Sequence, residues 1–311
     1  MGNVQKLDSD ESRKKMMKSV VRISEGLGNQ LFQYAFAYSY AKRTGQDILI
    51  DPFFWGTSLR NYELYRFRIE YTRRFVSPAW DYLLGFGPRN ARRYKERYRD
   101  RKIKKYYRFM PEKQIMKYDD GVYSVKEAAY FQGFWQSPLY FEEFYEQIRE
   151  QFTLKEALGS KAQEYTRQMA ESNSVSLHIR RTDYDRDENN VCLDGAFYRE
   201  ALEKMKEAIG EFKLFLFTDD KAFAKKYFDL HEYIMVEGVD DIEEFALMQK
   251  CKNHIVANSS FSWWGAYLAE NKGGVVFAPV ADIWGGDFYP REWNLIQSSV
   301  GSREGLSKEN E

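Results

Sequence analysis

Cysteine is scarce in this chain of 311 residues, which holds only Cys192 and Cys251. So few cysteines argue against a disulfide framework and against a zinc site built from cysteines, and they fit a reducing compartment. Long apolar runs are missing as well, since no stretch approaches the ~20 apolar residues of a membrane-spanning helix. Residues 1–19 are polar and charged, which excludes a secretory signal, so we expect a flexible leader on a cytoplasmic protein.

Net charge is absent too, because 47 Lys and Arg residues balance 47 Asp and Glu residues. A neutral chain has no overall attraction for nucleic acid, and we expect none among the partners. One stretch departs from this balance: Arg89–Arg108 is rich in Lys and Arg, with interleaved tyrosines. Such a stretch is typical of a solvated basic helix, and the alternative is peripheral contact with the inner face of a membrane or with an acidic glycan.

The C-terminal half alternates two kinds of apolar pattern. Strand-like runs cover residues 175–179, 213–218, 233–236, 254–257 and 275–278, and runs at helical spacing cover 197–209, 221–228, 242–251 and 261–270. Strands that alternate with helices are typical of βαβ units and a parallel sheet. Ligands of such sheets bind at the carboxyl ends of the strands.

The N-terminal half opens with one more such unit, in which residues 20–24 and 47–50 read as strands and 30–43 as a helix. After it the alternation of strand-like and helical runs ends. Residues 51–150 are rich in aromatic side chains, with helical stretches and few clear strands. We therefore predict an α/β protein whose N-terminal half is irregular and helix-rich. Its predicted domains are 20–155 and 156–295, followed by a polar tail at 296–311.

Gly26 and Gly28 stand between the first strand and the first helix. Glycine lets a backbone approach a ligand closely, and a helix N-terminus offers free N–H groups to a phosphate. The third glycine of a dinucleotide fingerprint is missing, because Leu31 holds that place, so a plain structural turn is the alternative. The amides of Asn29 and Gln30 suit sugar hydroxyls or a phosphate, or else they cap the helix.

A pair of arginines, Arg180 and Arg181, follows the strand at 175–179. Paired guanidinium groups suit a diphosphate, and the alternative is a salt-bridged cluster with Asp183 or Asp185. His178, which ends the strand, is either part of the same site or a core histidine. The acids at 183, 185 and 187 also match a D-x-D metal pattern, but two arginines can neutralise a diphosphate without a metal, so we predict no metal.

Two further strands end in polar residues. Asp219 and Asp220 follow the strand at 213–218, where a carboxylate either accepts hydrogen bonds from guanine or caps the next helix. Ser259, Ser260 and Phe261 begin the helix after the strand at 254–257, and small hydroxyls at a helix N-terminus suit a phosphate.

Four ordered motifs carry a resemblance to a known family. They cover residues 26–35, 178–184, 217–220 and 258–265, within a span of roughly 20–290. Together they resemble glycosyltransferase family 11, the α-1,2-fucosyltransferases, in its bacterial form.

The resemblance implies a GT-B-like fold of two Rossmann-like halves, with the acceptor side in 20–155 and the donor side in 156–295. It implies inverting transfer of L-fucose from GDP-fucose to the 2-hydroxyl of a terminal galactose on a glycan, without a metal or other cofactor. It places Arg180 at the β-phosphate, His178 at the nucleoside and Asp219 at guanine.

The expected catalytic residues are Arg180, which stabilises charge on the leaving diphosphate, and Asp183, which takes the acceptor proton or else orients the arginines. The expected donor-binding residues are Gly26, Gly28, Asn29, Gln30, His178, Arg180, Asp219, Ser259, Ser260 and Phe261. Two alternatives stay open. One is a fucosyltransferase of another linkage, to a 6-position or to a protein hydroxyl. The other is a non-catalytic protein that binds GDP-sugar or carbohydrate on the same fold.

Overall fold

The computed structural model describes residues 18–52, 61–71, 101, 103–181, 192–227, 233–280 and 286–298. Asp183, the other acids of the D-x-D pattern and residues 89–100 of the basic stretch lie outside these ranges. The chain divides into two compact units, Met1–Lys155 and Glu156–Glu311. Each unit holds its own parallel sheet, which confirms the predicted α/β class, GT-B-like with two Rossmann-like halves.

The N-terminal unit is built round a four-stranded parallel sheet. Its elements are β1 (Ser19–Arg22), α1 (Leu27–Thr44), β2 (Ile48–Asp51), β3 (Arg108–Pro111), β4 (Ala129–Gln132) and α2 (Tyr145–Gln151), with 3-10 turns at Leu64–Arg66, Asp120–Ser124, Pro138–Tyr140 and Glu142–Phe144. The strand order is β2-β1-β4-β3. Because β1 has β2 on one side and β4 on the other, the carboxyl end of β1 is a topological switch point.

Helix α1 forms the centre of this unit. It ends at Gly45, whose φ of 67° is left-handed and whose N–H donates to the carbonyl of Ala41, a conformation that suits glycine. Nearly every residue from 27 to 41 is buried, so α1 packs on all sides and not along a single stripe. Phe36 stacks on Trp135 with ring centroids 4.2 Å apart, and many similar contacts explain why this half of the chain is so aromatic.

The sequence did not predict β3 and β4. Each has only four residues, and β3 is an edge strand in which no residue is fully buried. A short edge strand needs no alternation of apolar and polar residues, so the usual signal of a strand is missing. Its last residue, Pro111, is tolerated because an edge strand leaves one side without ladder hydrogen bonds.

The C-terminal unit contains a six-stranded parallel sheet. Its elements are α3 (Ser160–Ala170), β5 (Ser174–Ile179), α4 (Gly195–Ile209), β6 (Lys213–Thr218), α5 (Lys221–Tyr227), β7 (Tyr233–Met235), α6 (Asp241–Lys250), β8 (Asn253–Ile255), α7 (Ser260–Tyr267), β9 (Val276–Val280) and β10 (Asn294–Gln297). The order β10-β9-β8-β5-β6-β7 is that of a doubly wound Rossmann sheet. Its switch point lies between β5 and β8.

Both faces of this sheet are covered by apolar clusters. Val175 and Leu177 of β5 pack on one face with residues of α4, and Phe215 and Phe217 of β6 pack on the other with residues of α6. Cys251 lies in the second cluster, where burial raises the pKa of its thiol. Strands buried on both faces read as continuous apolar runs, which is why the sequence located them.

Strand β10 was not predicted. It pairs with β9, and only Ile296 of its four residues is buried. One apolar residue gives no pattern that a sequence reading can use. The strand runs past residue 295, so residues predicted as a polar tail take part in the sheet.

Candidate active site

The residues after β5 and β6 meet at the carboxyl edge of the C-terminal sheet, beside its switch point. Arg180 Nη1 lies 3.3 Å from Asp219 Oδ2, and the other oxygen of Asp219 accepts the backbone N–H of Arg181 at 2.9 Å. The side chains of Arg180 and Asp219 are 25% and 19% exposed. Asp219 therefore holds the segment 180–181, while part of the Arg180 guanidinium still faces solvent.

Arg181 has a different environment from its neighbour. Its side chain is buried, its Nε lies 3.3 Å from Asp220 Oδ2, and its Nη1 donates to the carbonyl of Leu193 at 3.3 Å. The guanidinium also lies 4.1 Å above the ring of Phe223, a cation–π contact. Its own carbonyl accepts the thiol of Cys192 at 3.8 Å. Arg181 is thus an anchor of the site, and Arg180 is the more exposed of the two arginines.

Asp220 caps helix α5. Its Oδ1 accepts the N–H of Phe223 at 2.9 Å, and its own N–H donates to Thr218 Oγ1 at 2.9 Å. For Asp219 and Asp220 the sequence left open either guanine binding or helix capping, and Asp220 is the one that caps the helix. The contact of Asp219 with guanine stays a prediction, and in this structure both of its carboxylate oxygens already bind the segment 180–181.

His178 is buried against the first turn of α7. It is 6% exposed, and its ring centroid lies 5.8 Å from that of Phe261. The ring of Phe261 in turn lies 5.6 Å from that of Phe245 on α6. A second histidine, His254, is fully buried beside Ser176, and burial lowers its pKa to about 3. His254 is therefore a neutral core residue, whereas His178 borders the site.

The hydroxyl of Ser259 is used as a helix cap. Its Oγ accepts the N–H of Phe261 at 3.3 Å, so the first turn of α7 is fixed from within. Ser262 adds a second brace, because its Oγ accepts the N–H of Ala257 at 3.3 Å. Ser260 is half-buried, and as the first residue of α7 its N–H has no partner within the helix. Of the two predicted serines, Ser260 is the better placed for an anion.

Glu244 on α6 is a site residue that the sequence reading missed. Burial raises the pKa of Glu244 to about 7, repulsion from Asp241 and Asp219 adds to the effect, and Arg180 opposes it. The neighbouring Glu243 has a structural role, because its side chain completes the capping box with Asp240. The sequence offered one signal of its burial, the apolar run that follows directly after Glu244. When that run packs into the core, the carboxyl group beside it is partly buried as well.

The predicted residues of the N-terminal unit have separate tasks. Gly26 has an ordinary φ of −68°, and a Cβ built on it meets no atom of the described residues within 4 Å, so neither its conformation nor its packing against those residues demands glycine. Gln30 is fully buried, and its amide binds the backbone of Glu25, Asn61 and Glu63. Gln30 therefore braces the fold. Asn29 is half-buried, and its Oδ1 accepts from Gln136 at 2.8 Å.

Gly28 is buried in the first turn of α1. Within the described ranges, no three His, Cys, Asp or Glu residues gather as a metal site would require. The D-x-D pattern is not among those residues. No helix in the described part of the chain is both long and apolar enough to span a membrane.

A doubly wound sheet with an arginine–aspartate pair after two of its central strands, beside a serine-capped helix, is an arrangement typical of proteins that bind an anionic, phosphate-bearing ligand. The sequence as a whole identifies the family. Glycosyl transferase family 11 matches residues 17–297, and the chain belongs to this family. The protein is therefore a glycosyltransferase, and the family match extends across both compact units.

Two relatives in sequence agree with this assignment. The Alpha-1,2-colitosyltransferase of Escherichia coli is 31% identical over 298 residues, which cover 89% of this chain and 98% of that protein. Galactoside alpha-(1,2)-fucosyltransferase 1 of Aotus azarae is 30% identical over 154 residues, 44% of this chain and 42% of that protein. Among solved structures, fucosyltransferase NodZ from Bradyrhizobium is similar with a TM-score of 0.43 and 15% identity, over 80% of this chain and 92% of that chain.

Proposed function

We propose that the protein is a galactoside α-1,2-fucosyltransferase that moves L-fucose, with inversion, from GDP-fucose to the 2-hydroxyl of a terminal galactose on a glycan. Membership of family 11 supports sugar transfer, and a relative named galactoside α-(1,2)-fucosyltransferase supports the sugar and the linkage. The observation that carries the proposal is Arg180, a half-buried arginine whose guanidinium lies 3.3 Å from Asp219 where β5 and β6 end and whose side chain is 25% exposed.

Arg180 is the proposed electrostatic catalyst. As the bond between fucose C1 and the β-phosphate oxygen breaks, negative charge grows on GDP. A guanidinium held by Asp219 does not need to reorganise to meet that charge. The N–H of Ser260 is a further donor for the phosphates. In this scheme protein groups neutralise the leaving group, so no metal is required.

Asp183 is the proposed base for the acceptor hydroxyl. As the new bond forms between the acceptor oxygen and C1, the hydroxyl proton passes to a carboxylate, and GDP leaves with the electrons of the broken bond. Asp183 lies outside the described residues, so its place in this step is argued from its position three residues after Arg180 in the sequence.

Colitose transfer is the second candidate, because a relative that is 31% identical over most of the chain is named as an α-1,2-colitosyltransferase. The two candidates share the transfer reaction and the linkage and differ in the sugar of the donor. A competition between GDP-fucose and the corresponding GDP-colitose for one acceptor separates them by the mass of the product.

The test of the proposal is a turnover assay with GDP-fucose and lactose in the presence of EDTA. We expect GDP release and a fucosylated lactose, with Arg180→Ala slowing the rate by roughly 10²–10³, as for loss of one oxyanion donor. Arg167→Ala is the matched control, because Arg167 is an exposed arginine on α3 that pairs with Glu164.

Each result of this assay has a distinct meaning. Linkage analysis of the product decides between the 2-position and other positions. GDP release without a fucosylated lactose supports the donor and redirects the search to another acceptor. GDP binding without turnover of any GDP-sugar, with several galactosides offered, favours the non-catalytic binding protein.

A further inference from the structure

The basic stretch of the sequence enters the described part of the chain at residue 101. Residues 101–108 contain five Lys or Arg residues and no acid. Residues 101 and 103–106 are helical, and the N–H of Tyr107 donates to the carbonyl of Ile103 at 2.8 Å, which completes the last helical turn. The chain then continues into the edge strand β3. Regular backbone structure therefore decides which side chains of this stretch face solvent.

One face of the helical turn packs on the N-terminal sheet. Ile103 is only 3% exposed and lies in an apolar cluster with Val20 of β1 and Tyr130 of β4, and Tyr107 packs against the same cluster. The rings of Tyr107 and Tyr130 meet edge to face, with centroids 6.2 Å apart. Because apolar contacts hold this inner face, the turn cannot rotate to bring its basic residues inward.

The opposite face carries three exposed cations. Arg101, Lys104 and Lys105 are spaced at i, i+3 and i+4, so they lie side by side on the helix. No acid among the described residues forms an ion pair with any of the three, whereas Arg108 nearby pairs with Glu127 at 3.3 Å. Like charges at this spacing destabilise a helix slightly, so the stability of the fold does not account for them.

Aromatic rings lie beside two of these cations. Lys104 Nζ is 5.1 Å from the ring centroid of Phe109, and Lys105 Nζ is 5.2 Å from that of Tyr106. Tyr106 is itself 36% exposed. Lysine stems that lie along aromatic rings, together with an exposed tyrosine, are the side chains that suit the boundary between water and the headgroups of a bilayer.

We infer that Arg101, Lys104, Lys105 and Tyr106, here called the basic face, bind the surface of a bilayer that contains anionic phospholipids. Three adjacent positive charges complement a surface of lipid phosphates, while the chain as a whole is neutral and has no general attraction for polyanions. A helical turn that lies against a sheet cannot enter the major groove of a duplex, which favours a membrane over nucleic acid. The inference does not depend on the donor or acceptor of the transfer reaction.

Sedimentation of the full-length protein with lipid vesicles tests this proposal. The vesicles contain phosphatidylcholine alone or an equal mixture with phosphatidylglycerol. We expect the protein to bind only the mixed vesicles, and to be released at about 1 M salt, where the Debye length is roughly 3 Å. A basic residue beside an anionic surface contributes about 1 kcal/mol, or about fivefold in affinity, so Arg101→Gln, Lys104→Gln and Lys105→Gln combined should weaken binding roughly 100-fold.

A matched control removes the same charge from the other unit. Lys161→Gln, Lys204→Gln and Arg291→Gln combined change three exposed residues of the C-terminal unit, and this variant should bind the mixed vesicles within about twofold of the wild type. Both triple variants should keep the wild-type Tm, because exposed substitutions seldom change stability. Equal weakening in the two variants would overturn the proposal, because net charge and not the basic face would then explain the binding.

A charge-conserving variant separates charge from folding. Arg101→Lys, Lys104→Arg and Lys105→Arg combined change all three side chains and keep their charge, so the variant should bind the mixed vesicles as the wild type does. Loss of binding in this variant would overturn the proposal. Tyr106→Ser removes no charge, and it should weaken vesicle binding by about twofold or more while leaving any binding to duplex DNA unchanged.

The remaining outcomes separate a membrane from other polyanions. If the wild-type protein binds duplex DNA or heparin at least as tightly as the mixed vesicles at the same salt concentration, the basic face serves that polyanion and the proposal is wrong. Failure to bind the mixed vesicles would also refute it, whether or not the protein uses GDP-fucose. Vesicle binding by a protein that does not use GDP-fucose would support the basic face and refute only the donor.

Discussion

Glu244 makes the stability of the protein depend on pH. Burial raises its pKa from 4.5 to about 7, with added repulsion from Asp241 and Asp219. A carboxyl whose pKa is higher in the folded state folds best when protonated, so the free energy of unfolding falls as pH rises from about 4.5 to about 7. Each pKa unit corresponds to about 1.4 kcal/mol. With allowance for the solvent that reaches this half-buried side chain, we expect a loss of roughly 2–3 kcal/mol.

Glu244→Gln removes this dependence, because glutamine stays neutral throughout. The variant and the wild type are compared by urea unfolding at several pH values between 5 and 8. The difference in the free energy of unfolding, variant minus wild type, is expected to grow by roughly 2–3 kcal/mol across that range. Glu203→Gln, a substitution at an exposed position of α4, serves as the control and gives a difference that stays flat.

A flat difference for Glu244→Gln as well would refute the reasoning, because it would mean that Glu244 is ionised in the folded protein at pH 5. The charge of Glu244 also acts on Arg180, which is among the groups that shift its pKa. The same titration therefore changes the field around the proposed catalytic arginine near neutral pH.

Three further predictions address single residues. Asp219→Asn retains an acceptor for the Arg181 N–H and loses the charge that holds Arg180, so we expect kcat to fall by about tenfold in the turnover assay. A loss no larger than that in the Arg167→Ala control would contradict this. Gln30→Ala removes a fully buried amide that accepts the N–H of the half-buried Glu63 and donates to the carbonyls of Glu25 and Asn61, so it should cost about 1–3 kcal/mol in urea unfolding. Gly26→Ala fits its φ, and its Cβ would meet no atom of the described residues within 4 Å, so stability in urea unfolding should stay the same or rise by about 0.4–1 kcal/mol.

The central strands of the C-terminal sheet were predictable because they are buried on both faces. Lys213–Thr218 was located to the residue, since an unbroken apolar run between polar ends marks such a strand. Strands β3 and β10 were not, because each is at an edge of its sheet and carries at most one buried side chain. Edge strands depend on a partner that is distant in the sequence, and local patterns do not record that partner.

The sequence predicted where the candidate site lies in the fold, but it did not predict which acids contact the two arginines. The strand ends identified Arg180 and Asp219, and the fold brings them together. The sequence suggested Asp183 or Asp185 as partners of the arginine pair, whereas the contacts in the described part of the chain come from Asp219 and Asp220. That pairing depends on β6 lying beside β5, which is a property of strand order. The burial of Gln30 and Glu244 depends in the same way on tertiary packing.

The different burial of the two cysteines allows a fluorescent label to be placed beside the candidate site without any mutation. Cys251 is buried and its thiol pKa is raised by burial, so it resists alkylation, whereas Cys192 is half-buried and its thiol lies 3.8 Å from the carbonyl of Arg181. Only thiolates react readily. A maleimide dye on the native chain should therefore attach to Cys192 first. The next residue, Leu193, accepts a hydrogen bond from the Arg181 side chain through its carbonyl. The fluorescence of that dye would register any rearrangement of the arginine pair without an engineered labelling position.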